Sequence, residues 1–263
     1  MPFISVITST LNCIEDVIFL EKSLQAQSFA DFEWLIADGG SKDGTLEYLT
    51  QSETANIVAS ESDSGVYEAW NKALPYARGE WIIFLGADDR LYDQNVFRNF
   101  FSFNNELINT PQIIYGRVAV EERLFGRHLV SLKSEMSLGM AMCHQALFHH
   151  RSLFDDFGGF EKNYSIAGDY EFLLRSISGG ASAIYTPLIV SYMGQAGISS
   201  QLKNGLVSAL EVISARRKNG FAAINTPWVK HFLKGVVAFV CWKILPNSLY
   251  SKLDQLRLRV KND

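Results

Sequence analysis

Residues 81–89 read Trp81-Ile82-Ile83-Phe84-Leu85-Gly86-Ala87-Asp88-Asp89. Five consecutive apolar side chains with no polar residue among them suit a strand covered on both faces, not one with a wet side. The run stops at a glycine and then at two adjacent carboxylates. The most apolar strand of the chain therefore carries an acidic pair at its carboxyl end. Such a strand belongs in the middle of an open, mostly parallel sheet, and the stretches on either side test whether that sheet exists.

Upstream, Val66, Ala69, Trp70, Ala73, Leu74 and Ala77 form one apolar stripe at helical spacing, preceded by the helix-starting group Asp63-Ser64-Gly65. Before it, residues 56–60, 33–38 and 3–8 read as short strands. Residues 14–27, with Val17, Leu20 and Leu24 at helical spacing, and residues 45–51 read as the helices between them. Four strands separated by helices predict an α/β fold with helices flanking an open sheet, whose ligands bind at the carboxyl ends of the strands. That rule shortlists Ser9 and Thr10 after the first strand, Asp38 after the second, residues 61–63 after the third, and Asp88 with Asp89 after the fourth.

Downstream the pattern becomes mixed. A helix is expected over 93–103, strands over 113–118 and 183–192, and helices over 170–177 and 205–218. No repeat, low-complexity tract or long linker interrupts it, so residues 1–225 read as one domain. Residues 226–263 form a basic helical tail. Within it only residues 235–242 are uninterrupted by charge, too short for the roughly 20 apolar residues of a membrane span. An amphipathic helix could lay Phe232, Val236, Phe239 and Trp242 on a membrane while Lys230, Lys234 and Lys243 meet anionic headgroups. The plainer alternative is a helix packed on the core or on another subunit.

Composition excludes several classes. The 263 residues are 48% hydrophobic with 19 glycines and 6 prolines, which rules out a disordered or collagen-like chain. A net charge of −4 argues against a protein that coats nucleic acid. From Trp228 onward the charge is +5, so the preceding body carries −9. Cys13, Cys143 and Cys241 are odd in number and far apart, which predicts neither a disulfide framework nor a zinc site. The first residues lack a basic region and a cleavage site, so no secretion signal is expected.

Each acidic site has a functional and a plainer reading. Asp38, followed by Gly39-Gly40, could accept hydrogen bonds from a base or ribose, or it could belong to an ordinary strand-to-helix turn. Asp63 could bind ligand or cap a helix. Asp88 and Asp89 repel one another without a counter-charge and suit a hard divalent cation shared with substrate phosphates, or they form an exposed turn with Arg90. Asp169 stands in the first turn of a helix, where an acid is common for dipole reasons, yet a carboxylate on a later loop can also face the strand ends as a general base. His149 and His150 are adjacent and poor metal partners, and the sequon Asn163-Tyr164-Ser165 carries no weight without a secretion signal.

Taken in order, Ser5-Val6-Ile7-Thr8-Ser9-Thr10-Leu11-Asn12, Ala37-Asp38-Gly39-Gly40-Ser41-Lys42-Asp43-Gly44-Thr45, Asp63-Ser64-Gly65 through Asn71-Lys72-Ala73, Ala77-Arg78-Gly79-Glu80-Trp81, Leu85-Gly86-Ala87-Asp88-Asp89 and Gly168-Asp169-Tyr170-Glu171 resemble the family 2 glycosyltransferases of GT-A fold. The resemblance covers roughly residues 3–190. It implies inverting, metal-dependent transfer of a sugar from a nucleotide diphosphate, most often a UDP-sugar, to a hydroxyl of a glycan or lipid-linked acceptor in bacterial cell-surface polysaccharide assembly. Residues 1–110 would be the nucleotide-sugar half and 111–225 the acceptor half. Ser9, Thr10, Asp38 and Asp63 would bind the nucleoside, and Lys72 would offset charge on the diphosphate. Asp89, with Asp88 bridging ribose or metal, would hold Mn2+ or Mg2+, and Asp169 would be the catalytic base. His144 and Gln145 resemble a segment lining the acceptor side, although His144 equally suits a structural role. The implied setting is cytoplasmic, at the inner face of the plasma membrane if the tail docks there.

The chain departs from the family pattern at three points. Ser9 and Leu11 stand where a proline and a tyrosine are usual, Trp70 where an arginine is common, and Gly86 where the metal motif has its first acid. Gly86 and the altered first strand keep open a non-catalytic sugar-nucleotide or carbohydrate-binding subunit of a membrane glycan assembly. A sugar-nucleotide-forming nucleotidyltransferase is disfavoured because the first strand lacks its basic glycine-rich loop. A dehydrogenase is disfavoured because no GxGxxG follows that strand.

Overall fold

A computed structural model describes residues 1–194, 202–222 and 226–244. Four parallel strands open the chain: β1 (Ile4–Thr10), β2 (Phe32–Asp38), β3 (Ala55–Ser60) and β4 (Trp81–Phe84). They are linked by α1 (Ile14–Gln25), α2 (Thr45–Thr50) and α3 (Val66–Ala73). The strand order begins β3-β2-β1-β4, as alternating strands and helices dictate. The sheet then continues through β8 (Leu147–His150), β6 (Ile113–Val120), β9 (Ala183–Tyr192) and β5 (Arg90–Leu91), with β7 (Arg123–Phe125) hairpinned onto β6. In this second half only β6 and β9 are parallel, so the sheet is mixed where a mostly parallel one was expected.

β4 lies between β1 and β8 and is buried on both faces. Ile82 and Phe84 enter the core beneath α3 and α7 (Gly168–Ser178), with Trp70, Phe160 and Phe172. Trp81, Ile83 and Leu85 enter the opposite core, with Leu20 from α1 and Phe97 and Phe100 from α4 (Val96–Asn105). One network fixes the start of β4. Glu33 on β2 accepts hydrogen bonds from the Ser5 hydroxyl (2.7 Å), the Arg78 backbone N–H (2.6 Å) and the Arg78 guanidinium (2.7 Å). Burial pushes the Glu33 carboxyl up, but these donors outweigh it and hold it below the usual range. Gly79 is required beside them, because a Cβ there would lie 2.5 Å from the Ser5 nitrogen.

Two element ends differ from expectation for local reasons. α3 stops at Ala73, not at residue 77, because Pro75 cannot donate to the helix ladder, and the chain continues as a single 3-10 turn. α4 starts at Val96, not at residue 93, because the Asp93 carboxylate accepts from the Asn95 N–H and forms a turn first. β8 escaped the sequence reading because its last two residues are histidines, although His149 is fully buried. α5 (Leu132–Leu138) and α6 (Ser152–Phe157) are short and were likewise not expected.

The tail forms α9 (Thr226–Ile244), which lies on α8 (Gly205–Lys218). Contact is close because Gly235 has no side chain: a Cβ there would sit 2.7 Å from the Gly205 carbonyl oxygen. The face expected to meet a membrane is therefore corrected. Phe232, Val236, Phe239 and Trp242 are half-buried, whereas Val229, Leu233, Val237, Val240 and Ile244 are exposed along one stripe. The Lys243 ammonium lies 4.6 Å from the Trp242 ring centre. Lys252, Arg257, Arg259 and Lys261 fall outside the described residues. Among the described residues no helix is long and apolar enough to cross a membrane.

Candidate active site

Parallel register brings the strand ends to one edge. Thr10 pairs with Asp38, Asp38 with Ser60, and the Leu85 N–H reaches the Ile7 carbonyl at 3.1 Å. The loops after β1, β2, β3 and β4 therefore share the carboxyl edge of the sheet.

The first two loops are laced to each other. Asp38 is 1% exposed. Its Oδ1 accepts from the Thr10 hydroxyl (2.9 Å) and the Ser41 hydroxyl (2.6 Å), and its Oδ2 from the Gly40 and Ser41 N–H groups (both 2.9 Å). Asn12, at φ +50°, accepts from the Lys42 N–H, while the Ser41 hydroxyl accepts from the Asn12 N–H. Asp38 and Thr10, expected to meet the nucleoside, shape the turn at the carboxyl edge. Ser9 remains half-buried between them.

Across the edge, Asp63 is half-buried and its Oδ1 accepts from the Gly65 N–H at 2.9 Å, starting α3. Its Oδ2 lies 3.0 Å from where a Cβ on Gly39 would stand, so the glycine lets this carboxylate approach the β2 loop. Lys72 forms ion pairs with Glu61 (3.0 Å) and Glu68 (3.4 Å), which raise its pKa.

After β4 the two aspartates divide. Asp89 is 3% exposed and accepts from the Gly86 N–H (2.8 Å) and the Gly194 N–H (2.9 Å), tying the acidic loop to the segment after β9. Burial, aided by the charge of Asp88, raises its carboxyl to about 7. Asp88 is half-exposed. Asp89 thus holds the loop, and Asp88 is the more open of the two carboxylates. Among the described residues no group of three or more His, Cys, Asp or Glu side chains forms a metal cage, so a cation here would need ligands from substrate or water. The residues do fit such a shared site. Oδ1 of Asp88 and Oδ2 of Asp89 converge to 2.9 and 3.1 Å from the position that a Cβ on Gly86 would take, space that a third acid there would fill.

The base candidate arrives through α3. Tyr67 packs against Gly168, where a Cβ would come within 2.8 Å of its ring. Its hydroxyl lies 2.8 Å from the Ile166 carbonyl and 3.1 Å from Oδ1 of Asp169. Burial raises the Asp169 carboxyl above the ordinary range, against the Tyr170 N–H and the Tyr67 hydroxyl, which favour the ion; Glu211 adds to the rise. Glu211, on α8, accepts from the Ser165, Ile166 and Ala167 N–H groups at 2.7, 2.8 and 2.8 Å. Sequence reasoning missed Tyr67 and Glu211, and no local motif marks Glu211.

His144 is 6% exposed and stacks on Trp70, ring centres 4.9 Å apart, and burial lowers its pKa to about 3. It is therefore a core side chain, and Trp70 is buried among the same ring and those of Tyr67, Phe84 and Phe160. Gln145 is half-buried, and its backbone carbonyl accepts from the Ser191 hydroxyl at 2.9 Å.

Residues 5–132 match the model of the family described as Glycosyl transferase family 2. The PGL/p-HBAD biosynthesis glycosyltransferase of Mycobacterium bovis (strain BCG / Pasteur 1173P2) is 30% identical over 207 residues, 76% of this chain and 80% of that protein. Among solved structures, Staphylococcus aureus TarS 1-349 in complex with UDP-GlcNAc superposes with a TM-score of 0.61 at 17% identity, covering 92% of this chain and 81% of TarS 1-349. The mannosyltransferase PcManGT from Pyrobaculum calidifontis, in complex with GDP-Man and Mn2+, gives 0.62 at 16% identity and covers 100% and 81%. The helix-flanked sheet with its acidic carboxyl edge is the GT-A fold, and the chain belongs to glycosyltransferase family 2.

Proposed function

We propose that this glycosyltransferase moves a sugar from a nucleotide diphosphate, a UDP-sugar first among candidates, to a hydroxyl of a glycan or lipid-linked acceptor in cell-surface polysaccharide biosynthesis, with inversion at the anomeric carbon. The observation that carries the reading is the meeting of α3 with α7 at the carboxyl edge. It sets the raised Asp169 carboxyl against the helix that begins at Asp63.

In the transfer, the acceptor oxygen forms a bond to the anomeric carbon while the bond from that carbon to the diphosphate oxygen breaks. Asp169 takes the acceptor proton, and its raised proton affinity suits a base. The nucleoside would lie along the turn held by Asp38 and Thr10, beside Ser9 and Asp63. Asp88 would hold Mn2+ or Mg2+ jointly with donor phosphate oxygens, and a bound cation there supplies charge compensation to the departing diphosphate. Lys72 can assist the diphosphate only after leaving Glu61 and Glu68.

The body's negative charge and the tail's positive charge support docking of α9 on an anionic bilayer through Val229, Leu233, Val237, Val240 and Ile244. Docked there, the enzyme would meet a lipid-carried acceptor.

A thermal-shift panel of UDP, GDP, dTDP and CDP, each with and without Mn2+, tests the donor site, since a ligand of the folded state raises its stability. One nucleotide is expected to stabilise the protein in a metal-dependent way that Asp88→Ala abolishes. Absence of any shift would reject this site, and retention of the donor's anomeric configuration in the product, read by NMR, would reject inversion.

A further inference from the structure

The turn that presents Asp169 is gripped from both sides by residues distant in sequence. From α3, the single Tyr67 proton has two acceptors within reach, the Ile166 carbonyl (2.8 Å) and Oδ1 of Asp169 (3.1 Å). From α8, Glu211 accepts the backbone N–H groups of Ser165, Ile166 and Ala167, and the Ser165 hydroxyl at 2.6 Å. Oδ1 of Asp169 also accepts from the Tyr170 N–H at 2.8 Å. The remaining charged group of that first helical turn, Glu171, is taken by Arg175 at 3.2 Å and Lys218 at 3.8 Å. Tyr67 and Glu211 are thus the side chains from neighbouring elements that bear on the base.

We propose that Tyr67 and Glu211 are positioning residues for Asp169, acting with opposite sign: Tyr67 favours the ionised, proton-accepting carboxylate, and Glu211 favours the protonated one while fixing the turn. When Asp169 is ionised, the phenol donates to it. When Asp169 holds a proton it no longer draws the phenol, which donates to the Ile166 carbonyl instead. This rests on the reading of Asp169 as the base.

The test is a carboxyl 13C NMR titration of the full chain, with Asp169 assigned by its loss in Asp169→Asn, run on wild type, Tyr67→Phe and Glu211→Gln. Tyr67→Phe removes a donor to the ion and is expected to raise the proton affinity of Asp169 about fivefold. Glu211→Gln removes a neighbouring negative charge and is expected to lower it about threefold. The acid limb of kcat/KM for nucleotide release should move to higher and lower pH respectively. Shifts of the same sign, or none, overturn the proposal. If Glu211→Gln fails to fold, the Tyr67→Phe titration decides. Wild-type turnover in Asp169→Asn would instead overturn the base reading itself, whereas lost turnover with unmoved titrations would overturn only the positioning roles.

Discussion

The two ends of the acidic edge are built differently. At the β1–β2 end, the Asp38 carboxylate has its neighbours Gly40 and Ser41 as partners, plus Thr10 on the adjoining strand. At the α3–α7 end, the Asp169 carboxylate depends on Tyr67, 102 residues away, and its turn on Glu211, 44–46 residues away. The first is a completed local structure that offers its surface to a ligand. The second is a half-buried acid with a raised proton affinity, which would suit a base. A carboxylate with every lone pair occupied builds a site, and one held short of that can do chemistry in it.

The contrast can be broken most severely at Asp169. Asp169→Asn is expected to lower turnover roughly 10²–10⁴-fold while leaving donor-induced thermal stabilisation intact. Asp38→Ala should act on binding and stability instead. It strips partners from Thr10, Gly40 and Ser41 and is expected to cost about 3 kcal/mol in denaturant unfolding, with loss of nucleotide binding. Gly168→Ala presses a methyl into the Tyr67 ring, expected to cost about 1–3 kcal/mol and to reduce turnover more than donor binding. Leu233→Ser on the outer face of α9 should change stability by no more than about 0.5 kcal/mol, yet weaken flotation with anionic vesicles relative to zwitterionic ones.

Legibility followed the range of the interactions. The continuous apolar run from Trp81 to Leu85, the stripe through Trp70 and the glycines after Asp38 are local signals, and they located β4, α3 and the shared edge. The mixed half of the sheet was less legible, because β5 and β7 are short and the burial of His149 depends on strands far away in sequence. Within the site, the sequence marked Asp38, Asp63, Asp88, Asp89 and Asp169 as acids at strand and helix ends. It could not say that Asp38 would be consumed by its own turn, that Gly194 would bury Asp89, or that His144 would stack on Trp70. Each of those outcomes depends on which segments meet, and a residue's type and immediate neighbours do not carry that information. The tail shows the same limit: its amphipathic character was readable, but the Gly235–Gly205 contact decided which face turns outward.

The most direct test of the account is nucleotide release from UDP-, GDP-, dTDP- and CDP-sugars by wild type and Asp169→Asn, measured beside nucleotide-induced thermal stabilisation of both. Equal stabilisation, and release at least about 10²-fold slower in the variant, are expected. Release at the wild-type rate from a stably folded Asp169→Asn protein would contradict it.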